Sequence, residues 1–290
     1  MRILFISFCI ISKLIFPFES YSQKSAQVTY IANDGFLVNV EGKKIIFDGL
    51  FGGFEGNWCD IPSLETKTKL ENSETPFENI DLIFVSHMHS DHFNGDIVIK
   101  HMLKNLSSKL ICPMQVREKL SLKNDFALLK DRIISYTPDF FKDTLLVVKE
   151  FKIKILRLEH SHYLIKDSVT GEQINKHKNI ENLGYLVAVG TIRIFHCGDM
   201  NVWNETELKN YSLKNEKINI AFLDRGFLAN QEGKGIDLIL EYLNPENTFF
   251  MHIEPKNREI YKSILKQITD VLPKAFVFDN LLDVKELTIQ

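Results

Sequence analysis

The sequence predicts an α/β protein built as a four-layer αββα sandwich, and three observations carry that prediction. Short apolar strand-like runs alternate with helical ones along the chain after its first 22 residues. The layout of strands followed by helices occurs twice, once in each half. No flexible or low-complexity linker separates the halves, so residues 23–290 read as a single domain.

In the first half, residues 28–31, 36–40 and 44–47 read as a meander of short strands, with turns at Gly35 and at Glu41-Gly42. Residues 81–86 (DLIFVS) form a continuous apolar run, as expected of a strand covered on both faces. A helix is expected over 96–106, with Ile97, Ile99, Met102 and Leu103 apolar. In the second half, 151–158 alternates in part, and 186–189 and 191–195 flank a turn at Gly190. Residues 218–223 and 248–251 read as further strands, and 235–243 and 258–271 as helices. Residues 49–78 break the rhythm. A Gly-, aromatic- and Thr/Glu-rich loop of that length is expected to be functional or mobile.

Composition bounds the function. With 44% hydrophobic and 25% charged residues, the chain is neither disordered, collagen-like nor coiled-coil. A net charge of −3 gives no basic excess, so nucleic acid is not an expected partner and a small molecule is. Residues 1–22 have a signal-peptide pattern: Arg2, an apolar run over 3–11 that resumes at Leu14, and Ser20 and Ser22 before a cut ahead of Gln23. Lys13 and Pro17 interrupt that run short of the ~20 apolar residues a membrane span needs. The expectation is therefore an exported protein, periplasmic or secreted, with no stable membrane span after cleavage. Cleavage removes Arg2, Lys13 and Glu19 and leaves a charge of −4. Cys59, Cys112 and Cys197 then allow at most one internal disulfide.

The chemistry begins where the 81–86 run ends, in Ser86-His87-Met88-His89-Ser90-Asp91-His92. Three imidazoles and a carboxylate packed so closely suit a borderline divalent ion such as Zn²⁺, with Mn²⁺ or iron as the other candidates. His87 and His89 project to one side of an extended segment, and Asp91 and His92 reach a second position as the chain turns into the next helix. Further donors stand at the ends of later apolar runs: His160, Asp199 within His196-Cys197-Gly198-Asp199, and His252. His160 and His162 compete for one ligand position. His160 comes first off its strand, which leaves His162 for a place behind the ligands or beside the leaving group. His101, in a predicted helix, His177, in a Lys/Asn-rich loop, and His196 are not expected to be ligands.

Phe51, Phe54 and Trp58 in the long loop, with Trp203 after the Gly-Asp pair, are expected to line a substrate cleft, or else to pin the loop to the body. Arg225 has two readings, a contact to an anionic substrate group or a structural ion pair.

These residues resemble the metallo-β-lactamase superfamily, whose fold is an αββα sandwich with metals at one edge of its two sheets. Its HxHxDH signature stands complete at His87, His89, Asp91 and His92, and its single-residue motifs follow in order at His160, Asp199 and His252. The resemblance runs from about residue 27 to the C-terminus. It implies His87, His89 and His160 around one metal, Asp91, His92 and His252 around another, and Asp199 bridging the two. Residues 33–38 (NDGFLV), 43–48 (KKIIFD) and 182–185 (NLGY) are similar to the branch that includes the ascorbate-phosphate lactonase type. No glycine pattern of a nucleotide or flavin domain is present.

The expected function is an exported hydrolase with two zinc ions per chain, in which Asp91 both ligates and orients the attacking hydroxide. Substrates of the right class are small esters, lactones, phosphodiesters or amides. A β-lactamase, or a non-catalytic metal- or ligand-binding protein reusing the fold, is the alternative.

Overall fold

A computed structural model describes residues 24–56, 58–229 and 233–289; the segment read as a signal peptide, residues 1–22, lies outside them. The first of two seven-stranded sheets begins with the meander of β1 (Lys24–Ala32), β2 (Gly35–Val40) and β3 (Lys43–Phe47). It continues through β4 (Leu82–Phe84), β5 (Lys109–Cys112) and β6 (Ile133–Ser135), and the last strand, β16 (Val284–Ile289), pairs with β1 at the other edge. From edge to edge, the second sheet runs β15 (Ala275–Phe276), β14 (Asn247–Met251), β13 (Ile220–Asp224), β12 (Ile192–His196), β11 (Asn182–Val189), β8 (Phe151–Leu158) and β7 (Asp143–Val148). β9 (Leu164–Lys166) and β10 (Gln173–Asn175) make a separate hairpin.

The layering follows from the two-residue period of the strands. Phe36, Val38 and Val40 of β2, Ile45 and Phe47 of β3, and Leu82 and Phe84 of β4 face the second sheet in one continuous core. Their neighbours Leu37, Ile46 and Ile83 point the other way. They meet Leu70 of α1 (Leu64–Asn72), Ile97 and Met102 of α2 (Gly95–Lys104), Leu120 of α3 (Met114–Ser121) and Leu129 of α4 (Phe126–Leu129). Between the sheets, Phe36 stacks on Phe222 at 4.2 Å and Phe84 meets Tyr185 at 4.8 Å. On the second sheet's side, Leu208 and Tyr211 of α5 (Glu205–Tyr211), Ile236 of α6 (Lys234–Leu238) and Tyr261 of α7 (Arg258–Gln267) join that core. The result is the αββα sandwich.

The structure departs from the sequence reading in several places. The stretch 49–78 is not all loop: its second half holds α1, started by Ser63, whose hydroxyl accepts from the Thr66 N–H. The helix expected over 235–243 is α6 followed by a wider turn, Ile239–Leu243. β5, β6, β7 and β16 were not anticipated, and β11 begins at Asn182 rather than 186. Cys59, Cys112 and Cys197 are all buried free thiols. Among the described residues, no helix is long and apolar enough to cross a membrane.

Strands β3, β4 and β5 are mutually parallel, as are β12, β13 and β14. Parallel strands end together, so the loops that follow them gather at one edge, where α/β sheets place their ligands. Pairing of Phe47 with Phe84 sets Asp48 beside Ser86, and pairing of Asp224 with Met251 sets Arg225 beside His252. The Leu183 N–H donates to the Ser86 carbonyl at 2.9 Å and ties the two sheets together at this edge.

Candidate metal centre

The first donor group is built by hydrogen bonds that fix each imidazole. Ser86 Oγ donates to Asp48 Oδ2 at 2.5 Å and therefore accepts from His87 Nδ1 at 2.9 Å. That leaves the His87 Nε2 lone pair free. His160 Nδ1 donates to the Ser161 carbonyl at 2.9 Å, with the same consequence. The two Nε2 atoms lie 3.3 Å apart, and His89 Nδ1 lies 3.0 Å from His87 Nε2. Asp199 Oδ2 closes the group at 3.6 Å from His160 and 3.9 Å from His87. Asp199 is positioned through Gly198, at φ +55°, where a Cβ would stand 2.3 Å from Asn182 Oδ1 and 2.8 Å from Ser86 Cβ. Only glycine fits there.

The second group forms around His92. Asp48 Oδ1 accepts from the Ser86 N–H at 2.7 Å and its Oδ2 from His92 Nδ1 at 2.8 Å. His92 Nε2 then faces three carboxylates: Asp199 Oδ1 at 3.2 Å, Asp34 Oδ2 at 3.3 Å and Asp91 Oδ2 at 3.4 Å. His252 follows β14 at φ +59°, a conformation that costs a non-glycine residue energy and is typical of functional sites. Its Nε2 lies 3.5 Å from Asp91 Oδ2 and 3.6 Å from Asp199 Oδ2. Donor atoms of Asp34, His92, Asp199 and His252 all lie within 4.8 Å of one another, as do those of His87, His89, His160 and Asp199. Asp199 belongs to both groups.

Burial is the largest influence on Asp34, His87, His89, Asp91, His92, His160, Asp199 and His252. It pushes His89 down to about 4, helped by His160 and His92, and lowers His87 and His160 as well. Neutral imidazole is the form a metal binds. In the second group, burial is outweighed for His252, pushed up to about 10 by Asp199 and Asp34, and for His92, raised by Asp199, Asp91 and Asp34. The same histidines overcome burial at Asp91 and Asp199 and hold both carboxyls well below the usual range. Asp34 goes the other way: burial raises its carboxyl.

Three buried atoms of the residues that build this centre, Asp34 Oδ1, His92 Nε2 and Asp199 Oδ1, have no hydrogen-bond partner. His92 Nε2 and Asp199 Oδ1 are close without the geometry of a hydrogen bond. Each such orphan costs about 1–3 kcal/mol unless something meets it. Two donors bound to one ion at 2.0–2.2 Å sit roughly 3.0–3.5 Å apart at octahedral to tetrahedral angles. Most of the separations above fall in or just beyond that range. The residues fit two divalent cations that share Asp199.

A family model described as a beta-lactamase superfamily domain matches residues 44–254. The chain belongs to the beta-lactamase superfamily. No curated protein matches it. Among solved structures it is similar to Igni18, a metallo hydrolase from the hyperthermophilic archaeon Ignicoccus hospitalis, at 16% identity over 92% of this chain and 100% of the other, TM-score 0.55. An isothiocyanate hydrolase from Delia radicum gut bacteria matches at 15% identity over 90% and 99%, TM-score 0.53. CmlA, a diiron beta-hydroxylase from Streptomyces venezuelae, matches at 10% identity over 91% of this chain and 54% of its own, TM-score 0.55. At such identities the likeness establishes the fold, which in these proteins carries more than one chemistry.

Within this superfamily fold, the structure brings His87, His89, Asp91, His92, His160, Asp199 and His252 into one cluster. His162 stands apart. Its half-exposed ring pairs with Glu159 Oε1 at 2.7 Å and belongs to neither donor group. His177, read from the sequence as a bystander, lies beside them instead. Its ring centroid is 4.3 Å from that of His160 and 4.8 Å from that of His89, and Nδ1 donates to the Ser161 carbonyl at 3.0 Å.

Phe51 does not line a cleft: it is fully buried and begins a run of rings through Phe54 and Trp58 to His252, spaced 6.4, 6.0 and 6.4 Å. Trp58, 44% exposed, is the member at the mouth, and Trp203 is 59% exposed on the turn after Asp199. Arg225 is ion-paired with Glu254, the structural one of its two readings.

Sequence reasoning missed Asp34 and Asp48. The available signal was the position of each, an acid at the tip of a two-residue hairpin and an acid closing an apolar strand just before glycine.

Proposed function

We propose that the protein is a hydrolase working with two divalent ions, zinc being the expected metal, on a small ester, lactone, phosphodiester or amide-type substrate. The observation that carries this reading is the sharing of Asp199 by two donor groups, with Asp199 Oδ1 and His92 Nε2 buried and without a hydrogen-bond partner. When bound, the ions supply Lewis acidity, which makes water more acidic and stabilises negative charge developing on the attacked group.

The chain's own side chains do the positioning. Asp91 Oδ2 is held by Asn33 Nδ2 at 3.1 Å, at the second donor group, where it orients the water that attacks. His177 takes the place that the sequence suggested for His162 and delivers a proton to the leaving group. Trp58 and Trp203 offer apolar area to the rest of the substrate.

Export is part of the proposal and rests on the pattern of residues 1–22. N-terminal sequencing of the periplasmic or secreted protein is expected to begin at Gln23; an intact Met1 contradicts it.

The functional test strips the protein with a chelator, reloads it with zinc, and assays a panel of ester, lactone, phosphodiester, β-lactam and isothiocyanate substrates. The last is included because one structural neighbour is an isothiocyanate hydrolase. Chelator-sensitive turnover of at least one member is expected. No bound metal and no turnover after reloading replaces this reading with a non-catalytic one.

A further inference from the structure

We propose that Asp34 is an additional metal ligand, and that it makes the second position of the centre a carboxylate-rich site suited to a harder ion such as Mn²⁺, while the histidine-rich position takes zinc. This rests on the two-ion reading above and concerns what distinguishes its two halves.

Ala32 pairs with Gly35, so Asn33 and Asp34 are the two residues of the β1–β2 turn. Hairpin turns run over the surface, because their polar groups need water. This one is 1% and 0% exposed. It is also pinned from several sides. His196 Nε2 donates to the Asp34 carbonyl at 3.1 Å and His196 Nδ1 accepts from the Gly198 N–H at 3.1 Å, tying the turn to the segment that carries Asp199. Gly35 is so close to the chain after β3 that a Cβ there would stand 2.9 Å from Gly49 Cα.

Asn33 Nδ2 donates to Asp34 Oδ2 at 2.9 Å and to Asp91 Oδ2 at 3.1 Å, so one amide aligns two carboxylates on the same group. Asp34 Oδ1 has no partner at all. A buried carboxylate with a bare oxygen beside two other carboxylates is explained by a cation that all of them touch.

Around the first position stand three imidazole nitrogens and one carboxylate, Asp199. Around the second stand the nitrogens of His92 and His252 and the carboxylates of Asp34, Asp91 and Asp199. Imidazole suits zinc, whereas carboxylate oxygen and higher coordination suit manganese. The rival account makes Asp34 an ion-pair partner of His92, at 3.3 Å, with no contact to metal. It predicts that removing the charge of Asp34 leaves metal selectivity unchanged.

The test uses chelator-stripped wild type, Asp34→Asn and Asp34→Ser, titrated with Zn²⁺ and Mn²⁺ separately and together. Calorimetry and elemental analysis report the occupancy, and the electron paramagnetic resonance signal of free manganese reports its binding. The wild type is expected to hold one zinc and one manganese from an equimolar mixture. Asp34→Asn is expected to bind manganese about 10-fold more weakly or worse, with its first zinc unaffected. Unchanged manganese affinity and an unchanged metal ratio in Asp34→Asn overturn the proposal.

A wild type that never holds more than one ion overturns instead the two-ion reading beneath it. Should neither variant fold, anomalous diffraction from the manganese-soaked wild type decides. An Asp34 oxygen within about 2.3 Å of the ion supports the assignment, and one beyond about 3 Å refutes it.

Discussion

Asp48 ligates nothing in this account, yet its replacement by Asn is expected to cost the centre its second ion. The carboxylate accepts three hydrogen bonds, from the Ser86 N–H, Ser86 Oγ and His92 Nδ1, at 2.5 to 2.8 Å. An amide of the same shape keeps only one acceptor oxygen. If its NH₂ faces Ser86, a donor meets a donor. If it faces His92, the ring must move its proton to Nε2, and the lone pair aimed at Asp34, Asp91 and Asp199 is replaced by an N–H. Hydrogen bonds to a charged group contribute about 1.5–3 kcal/mol each, so the loss of one or two lowers folding stability by roughly 1.5–6 kcal/mol.

Loss of the orienting partner lowers affinity at the second position about 10–100-fold, or 1.4–2.8 kcal/mol. The His160 tautomer rests on the Ser161 carbonyl, and His87 depends on Asp48 only through Ser86 Oγ, so the first position should change less. Calorimetric titration of stripped Asp48→Asn with zinc is the assay, with thermal melting alongside. Two ions bound with wild-type affinities refute the reasoning that Asp48 sets the His92 tautomer.

Other substitutions test other parts of the edge. Gly198→Ala combines a left-handed φ with a Cβ 2.3 Å from Asn182 Oδ1; thermal melting should show a loss above the ~1–2 kcal/mol of backbone strain alone, and elemental analysis should show reduced metal content. Glu207 is fully buried, with Oε1 accepting from the Glu159 N–H at 2.8 Å and Oε2 unpartnered, and burial pushes its carboxyl from 4.5 up to about 7. Between those values the folded chain holds a proton that the unfolded chain has released, so this group's contribution to stability falls as pH rises through that window. Glu207→Gln should remove the slope and stabilise the apo-protein at pH 8 by roughly 1–3 kcal/mol relative to wild type, and parallel stability–pH curves contradict this. Phe51→Ala should cost about 3–5 kcal/mol of stability. Trp58→Ala should melt normally and raise KM; the reverse pattern removes Trp58 from the substrate cleft.

Strands β2, β3 and β4 were readable because each divides its side chains between two cores, which leaves a short, nearly continuous apolar run in the sequence. The helix within 49–78 was not, because Leu64–Asn72 is mostly polar and is stabilised by the Ser63 cap and by burial of Leu70. Strand β16 has an alternating pattern of its own, but its place beside β1 is set by pairing across the whole chain. At the site, His87, His89, Asp91 and His92 were legible because four donors within six residues have no other use.

Asp34 looks like ordinary turn chemistry, Asp48 like the end of a strand, and His177 like part of a solvated loop. What makes each of them part of the centre is contact with residues distant in sequence, among them His92, 44 residues from Asp48, and Ser161, 16 from His177. His162 shows the complement: close in sequence to His160, it pairs with Glu159 and stays outside both donor groups.

The central claim is that one carboxylate, Asp199, joins two metal positions. Elemental analysis of purified, zinc-reloaded wild type and Asp199→Ala, paired with turnover of whichever substrate the panel finds, tests it most directly. The account predicts about two ions per chain in the wild type and no more than one in the variant, with hydrolysis lost. An Asp199→Ala protein that keeps two ions and full turnover contradicts it.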